Sequence, residues 1–298
     1  MSHGAPARFR ESVETFGRHG SLAGILTLPT DSEAPGMPVV FLGAGIIHKV
    51  GPSRASVELA RRLAEAGHPA LRFDLSGIGD SPRVDETSLS RTALKDIEDA
   101  VSLVQDRCGH PAGVALVGFC SGADNALFAA GEDVRVSRLI LFDPTVHATP
   151  GFERRRLGRR LLSPRSWWNV LSGRVFLRQL REREETGQSR PPGYYGLLTP
   201  SAEETDRRVA QLTQRDARLL YVLSSGSHDY CNAPGQLRES LPTGYSEAHI
   251  SVLWAPEMDH ILSTRTQRER LAESVLPLLR SSDAPEGRTR PARAEAGR

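Results

Sequence analysis

The sequence predicts an α/β fold: a mostly parallel sheet, doubly covered by helices, with one helical insertion. Three observations carry that expectation. Short apolar runs alternate with stretches whose apolar residues recur at helical spacing. One run breaks abruptly into Gly118-Phe119-Cys120-Ser121-Gly122, a glycine-flanked bend between a strand and a helix. The alternation fails between Thr145 and Asp216, a span rich in arginine and proline.

Residues 12–29 read as two short strands around Arg18-His19-Gly20. Val39, Val40, Phe41 and Leu42 form a buried strand. In residues 53–66, Val57, Leu59, Ala60, Leu63 and Ala64 share one helical face, and Gly67 ends the helix. Residues 70–74 are a second core strand, 90–106 an amphipathic helix and 113–117 a third strand. A helix of small residues starts at Ser121, and a fourth strand covers 137–142. Residues 219–223 and 249–253 are the last two strands, before a final helix over about 261–280. The domain boundaries follow: a core of residues 1–144 and 217–280, a helical cap at 145–216, and a polar, disordered tail at 281–298.

The chain's 298 residues suffice for one large domain with an insertion. A net charge of +2 argues against a polyanion binder, so no nucleic acid partner is expected. Of the 38 basic residues only Lys49 and Lys95 are lysine, a bias expected of a GC-rich genome. No run approaches the ~20 apolar residues of a membrane span, and residues 1–10 lack the apolar region of a secretory leader. The three cysteines, Cys108, Cys120 and Cys231, are too few for a disulfide framework, so a reducing cytoplasm is the expected setting. No cysteine and histidine spacing suits zinc, and no metal is expected. Gly77-Ile78-Gly79 lacks the third glycine of a dinucleotide loop and opens no helix, so no cofactor is expected either.

The bend carries the chemistry. A residue lifted on a sharp strand-to-helix turn needs small neighbours two positions away on each side. Gly118 and Gly122 meet that need around Cys120. The helix that follows points its amide dipoles at the site, which favours negative charge there. Ser121 is the rival nucleophile, but in that register the flanking positions are Phe119 and Ala123, and Phe119 is bulky. A nucleophile needs a base, and the base an orienting acid. His260 follows the last strand and Asp229 the one before it. The order Cys120, Asp229, His260 then sets all three at strand C-terminal ends, where open sheets gather their ligands. Asp143, which ends the fourth strand, is the alternative acid. Asp259 would point away from its neighbour His260 and reads as structural. Two backbone amides are expected to receive an oxyanion: those of Ser121 and of Gly45 in the loop Gly43-Ala44-Gly45-Ile46-Ile47-His48. Ile46, His48, Trp167 and Trp168 are expected to line the substrate.

These residues resemble the α/β-hydrolase superfamily over roughly residues 20–280. The stretch Gly43 to Ser81, with His48-Lys49-Val50-Gly51-Pro52 and Arg72-Phe73-Asp74-Leu75-Ser76-Gly77-Ile78-Gly79-Asp80-Ser81, looks like the serine-aminopeptidase-like and exosortase-associated hydrolase branch. Cysteine in place of the common serine is similar to dienelactone hydrolases and some biosynthetic thioesterases. The resemblance implies an α/β-hydrolase fold and a cofactor-free esterase, thioesterase or acyltransferase. A cysteine nucleophile suits a small-molecule acyl substrate held as an ester or thioester. The arginines of the cap, from Arg154 to Arg183, would suit a coenzyme A thioester or an acyl carrier protein, although a solvated arginine face is the plainer reading. A non-catalytic binding protein on a retained hydrolase fold is the rival from another class.

Overall fold

The structure, a computed structural model, describes residues 8–30, 35–83, 89–108, 110, 112–162, 200–228 and 230–280. Eight strands form one sheet: β1 (Phe9–Phe16), β2 (Leu22–Pro29), β3 (Val39–Leu42), β4 (Ala70–Phe73), β5 (Val114–Phe119), β6 (Val136–Phe142), β7 (Arg218–Ser224) and β8 (Ile250–Ala255). Their order is β1-β2-β4-β3-β5-β6-β7-β8. The two strands expected around Arg18-His19-Gly20 appear as β1 and β2, which pair antiparallel; β2 also runs antiparallel to β4, and every later pair is parallel. The helices are α1 (Ala55–Glu65), α2 (Leu89–Cys108), α3 (Ser121–Glu132), α4 (Pro150–Leu162), α5 (Ala202–Gln214), α6 (Gln236–Ser240) and α7 (Arg265–Arg280).

The two faces of the sheet follow the period-2 alternation of strand side chains. Val40, Leu42, Leu71, Leu116, Leu139 and Leu141 pack with α2, α3 and α5. Val39, Phe41, Ala70, Val117, Ile140 and Phe142 point the other way, into α1 and α7. Both layers are buried, and each fully buried leucine among them contributes roughly 1.5–3 kcal/mol. Neighbouring apolar residues along one strand therefore serve different cores, which is why the central strands read as unbroken apolar runs.

The final helix begins at Arg265, later than the periodicity suggests. The Asp259 carboxylate accepts from the amides of Ile261 and Ser263 and from Ser263 Oγ, while Leu262 takes a positive φ of 51°. That side-chain turn competes with helix over 259–264 and engages both Asp259 carboxylate oxygens. The sequence reading did not single out α5 or the short α6. Of the expected cap, α4 and α5 lie within the described residues, and both fall between β6 and β7. Trp167, Trp168 and the tail at 281–298 lie outside the described residues. Among the described residues no helix is long and apolar enough to cross a membrane.

Candidate active site

β5 runs straight into a strained residue. Cys120 has φ 51° and ψ −120°, a conformation costly for any residue with a side chain. It is held there by its neighbours. The Cys120 amide donates to Phe142 O (2.8 Å), and its carbonyl accepts from the Ala123 amide (2.9 Å) at the start of α3. A Cβ on Gly118 would lie 2.4 Å from Ala123 Cα, and one on Gly122 would lie 2.4 Å from Gly43 O. The two glycines let α3 fold back against both β5 and the end of β3. That contact also brings the loop after β3 alongside the N-terminus of α3. Phe119 is buried in the core against Phe142, with ring centroids 5.7 Å apart, and stays away from the bend.

Cys120 is partly exposed, whereas Cys108 and Cys231 are buried. Burial pushes the Cys231 thiol up to about 11 and raises that of Cys108, so both stay protonated near neutrality.

His260 lies beyond β8, and Cys120 is among the groups that raise its ring's proton affinity. Its Nδ1 stands 2.7 Å from Asp143 Oδ2. Asp143 is the residue after β6, and its side chain is wholly buried. It is oriented from behind: the Ser224 amide donates to Oδ1 (2.7 Å) and Ser224 Oγ donates to Oδ2 (2.5 Å). With both oxygens occupied by donors, the carboxylate has one rotamer and one face for the imidazole. Asp229, the acid expected first from the chain order, lies outside the described residues. The aspartate that meets His260 is the alternative, Asp143.

The hydrogen bond to Asp143 and then that to Cys120 push His260 up to about 10, against the opposing effect of burial. A folded-state value above the unfolded 6.5 means that the protonated ring stabilises the fold fully below about 6.5, and that this contribution fades as pH rises through about 10. The expected result is a melting-temperature gap between wild type and His260→Gln that is widest near pH 6 and closes by about pH 10. Thermal denaturation across that range measures it, and a gap that widens with pH would contradict the assignment.

Gly45 takes φ 52°, and its amide donates to Ser121 Oγ at 2.7 Å. The two amides expected to bind an oxyanion, those of Gly45 and Ser121, therefore belong to segments already in contact. Ile46 is 57% exposed at the tip of the same loop. His48 turns toward Asp80 (3.1 Å) and Asp74 (3.4 Å). Asp124, one turn into α3, accepts from the Thr145 amide (3.0 Å) and from Thr145 Oγ1 (2.7 Å), which ties the segment carrying Asp143 to the helix carrying Cys120. Burial, partly offset by those two bonds, pushes its carboxyl up to about 6.

Sequence reasoning missed two supports. Ser224 ends β7 as a fully buried polar residue. Gly226 backs onto the histidine, where a Cβ would lie 2.6 Å from His260 Cβ. Both contacts span long sequence separations, and only the buried serine at a strand end carried any hint.

The model of the Alpha/beta hydrolase family matches residues 39–287. The chain belongs to that family. No curated protein matches the sequence. Solved structures share the fold at low identity. A Klebsiella pneumoniae protein named as a dienelactone hydrolase is 12% identical, with 91% of this chain and 98% of that one covered and a TM-score of 0.58. The Pyrococcus furiosus esterase Pf2001 is 13% identical, with 91% of each chain covered and a TM-score of 0.56. The thioesterase domain from the curacin biosynthetic pathway is 19% identical, with 90% of this chain and 99% of that one covered and a TM-score of 0.52.

Proposed function

We propose that this hydrolase-family enzyme cleaves esters or thioesters through an acyl-cysteine intermediate, with Cys120 as nucleophile, His260 as acid and base, and Asp143 as the group that orients His260. The observation that supports this most is the 2.7 Å bond between His260 Nδ1 and the buried Asp143 carboxylate, with Cys120 acting on the same ring from a backbone held at φ 51°. His260 takes the thiol proton, and the sulfur attacks the carbonyl carbon. Charge then develops on the carbonyl oxygen, where the amides of Ser121 and Gly45 are offered as donors. For Gly45 this requires the incoming oxygen to take the place of Ser121 Oγ. Collapse expels the alkoxide or thiolate, which leaves with the proton from His260. Water, deprotonated by the same ring, attacks the acyl-cysteine, and the carboxylic acid departs as Cys120 is regenerated.

A thioester suits this site, because acyl exchange between sulfurs is nearly isoenergetic. Intact-mass spectrometry after brief incubation with a panel of acyl thioesters and oxyesters tests the reading. The expected result is one acyl adduct per chain, mapped by peptide analysis to Cys120. Turnover accompanied by an adduct on Ser121 alone would refute it.

A further inference from the structure

Lys49 stands at the far end of the loop that carries Gly45. It is 8% exposed, in a chain whose basic residues are almost all arginine. Its Nζ donates to Asp74 Oδ2 (2.8 Å) and Asp80 Oδ2 (2.5 Å), and lies 3.0 Å from His48 Nε2. The Lys49 amide donates to Asp74 Oδ1 at 2.5 Å, and the Asp80 amide to Asp74 Oδ2 at 3.0 Å. The Asp74 side chain has no solvent exposure.

His48, Asp74 and Asp80 each bring one donor atom within 4.8 Å of the others, the spacing of ligands around a cation. The ammonium already stands among them. A planar guanidinium sends its donors outward in a fork and does not suit acceptors that converge on one point, whereas a compact ammonium does. The position therefore explains one lysine in an arginine-rich chain. Gly79 (φ 53°) allows the approach, since a Cβ there would lie 2.3 Å from Asp74 Oδ2. Burial opposes the charge on Lys49, but the hydrogen bonds to Asp74 and Asp80 outweigh it and hold its ammonium above the ordinary lysine range.

The cluster joins two loops at the C-terminal edge of the sheet: the one after β3, with Gly45, and the one after β4, with Asp74 and Asp80. We propose that Lys49 is a positioning residue that, as a built-in cation, fixes the loop after β3 so that the Gly45 amide is held over Cys120. This rests on the reading of Gly45 as an oxyanion donor.

The test compares two reactions at one sulfur. Iodoacetamide alkylates Cys120 by displacement at a saturated carbon and develops no oxyanion. Acylation by p-nitrophenyl acetate does develop one. In Lys49→Met the acylation rate is expected to fall about 10- to 100-fold, less than the roughly 10²- to 10³-fold cost of losing an oxyanion donor outright, with alkylation nearly unchanged. Lys49→Met leaves Asp74 buried without its counter-ion, so Asp80→Asn, at a side chain 64% exposed, serves as the milder variant and is expected to shift the same ratio less. Equal loss in both reactions would mean a merely structural role, and no change in either rate no role; either overturns the proposal. Hydrogen exchange read by mass spectrometry over residues 43–51 tests the clamp separately. Faster exchange in both variants is expected, and unchanged exchange overturns the proposal even where the ester leaves Cys120 unmodified, an outcome that counts against the nucleophile instead.

Discussion

Cys120→Ala is expected to abolish turnover, with kcat lowered on the order of 10⁵- to 10⁶-fold, because the residues of such a unit act together and the loss of its nucleophile removes the whole covalent route. What remains is the weak effect of the oxyanion donors on direct attack by water. The fold is expected to survive, since the side chain is partly exposed and the backbone around it is held by Gly118, Gly122 and the hydrogen bond to Phe142 O. Ser121→Ala is expected to cost far less, because both proposed oxyanion donors are backbone amides that the substitution leaves in place. Steady-state hydrolysis of an acyl thioester by wild type and the two variants measures the contrast. If Ser121→Ala carries the loss and Cys120→Ala does not, the nucleophile sits one residue further on.

Asp143→Asn is expected to lower kcat/KM by roughly 10⁴-fold with little change in geometry. The reason is a matter of tautomers. The Ser224 amide donates to Oδ1 of residue 143, so that position must be an acceptor. An asparagine there would keep its carbonyl oxygen at Oδ1 and place its NH₂ where Oδ2 now faces His260 Nδ1. Nδ1 would then have to accept, the ring proton would move to Nε2, and the imidazole would no longer take the proton from the thiol. Asp229→Asn is expected to leave kcat/KM close to wild type. Kinetics of the two variants on one substrate decide between the aspartates, and a loss confined to Asp229→Asn would make Asp229 the acid.

Much of the fold is legible in the chain, for identifiable reasons. The central strands are buried on both faces, so each is a continuous apolar run, and each helix that packs on them repeats apolar residues at 3.6-residue spacing. The elbow is legible because its requirement is local: a side chain at positive φ tolerates only glycine where α3 turns back on β5 and β3. His260 is legible for the same reason, as a polar residue just past the end of a strand. The start of α7 was less legible, because a side-chain turn around Asp259 outcompetes a helical pattern that continues through it.

By itself, the sequence determined the doubly covered sheet, the bend that carries Cys120 and the histidine at the sheet's far end, since each is written in neighbouring residues and their periodicity. Only the tertiary structure decided which described acid meets that histidine, which serine and glycine support it, and why Lys49 is a lysine. Asp143 and His260 are 117 residues apart, and Lys49 and Asp74 are 25 apart. Such pairings depend on the order in which strands lie side by side, and strand order is a global compromise of packing that no local pattern encodes.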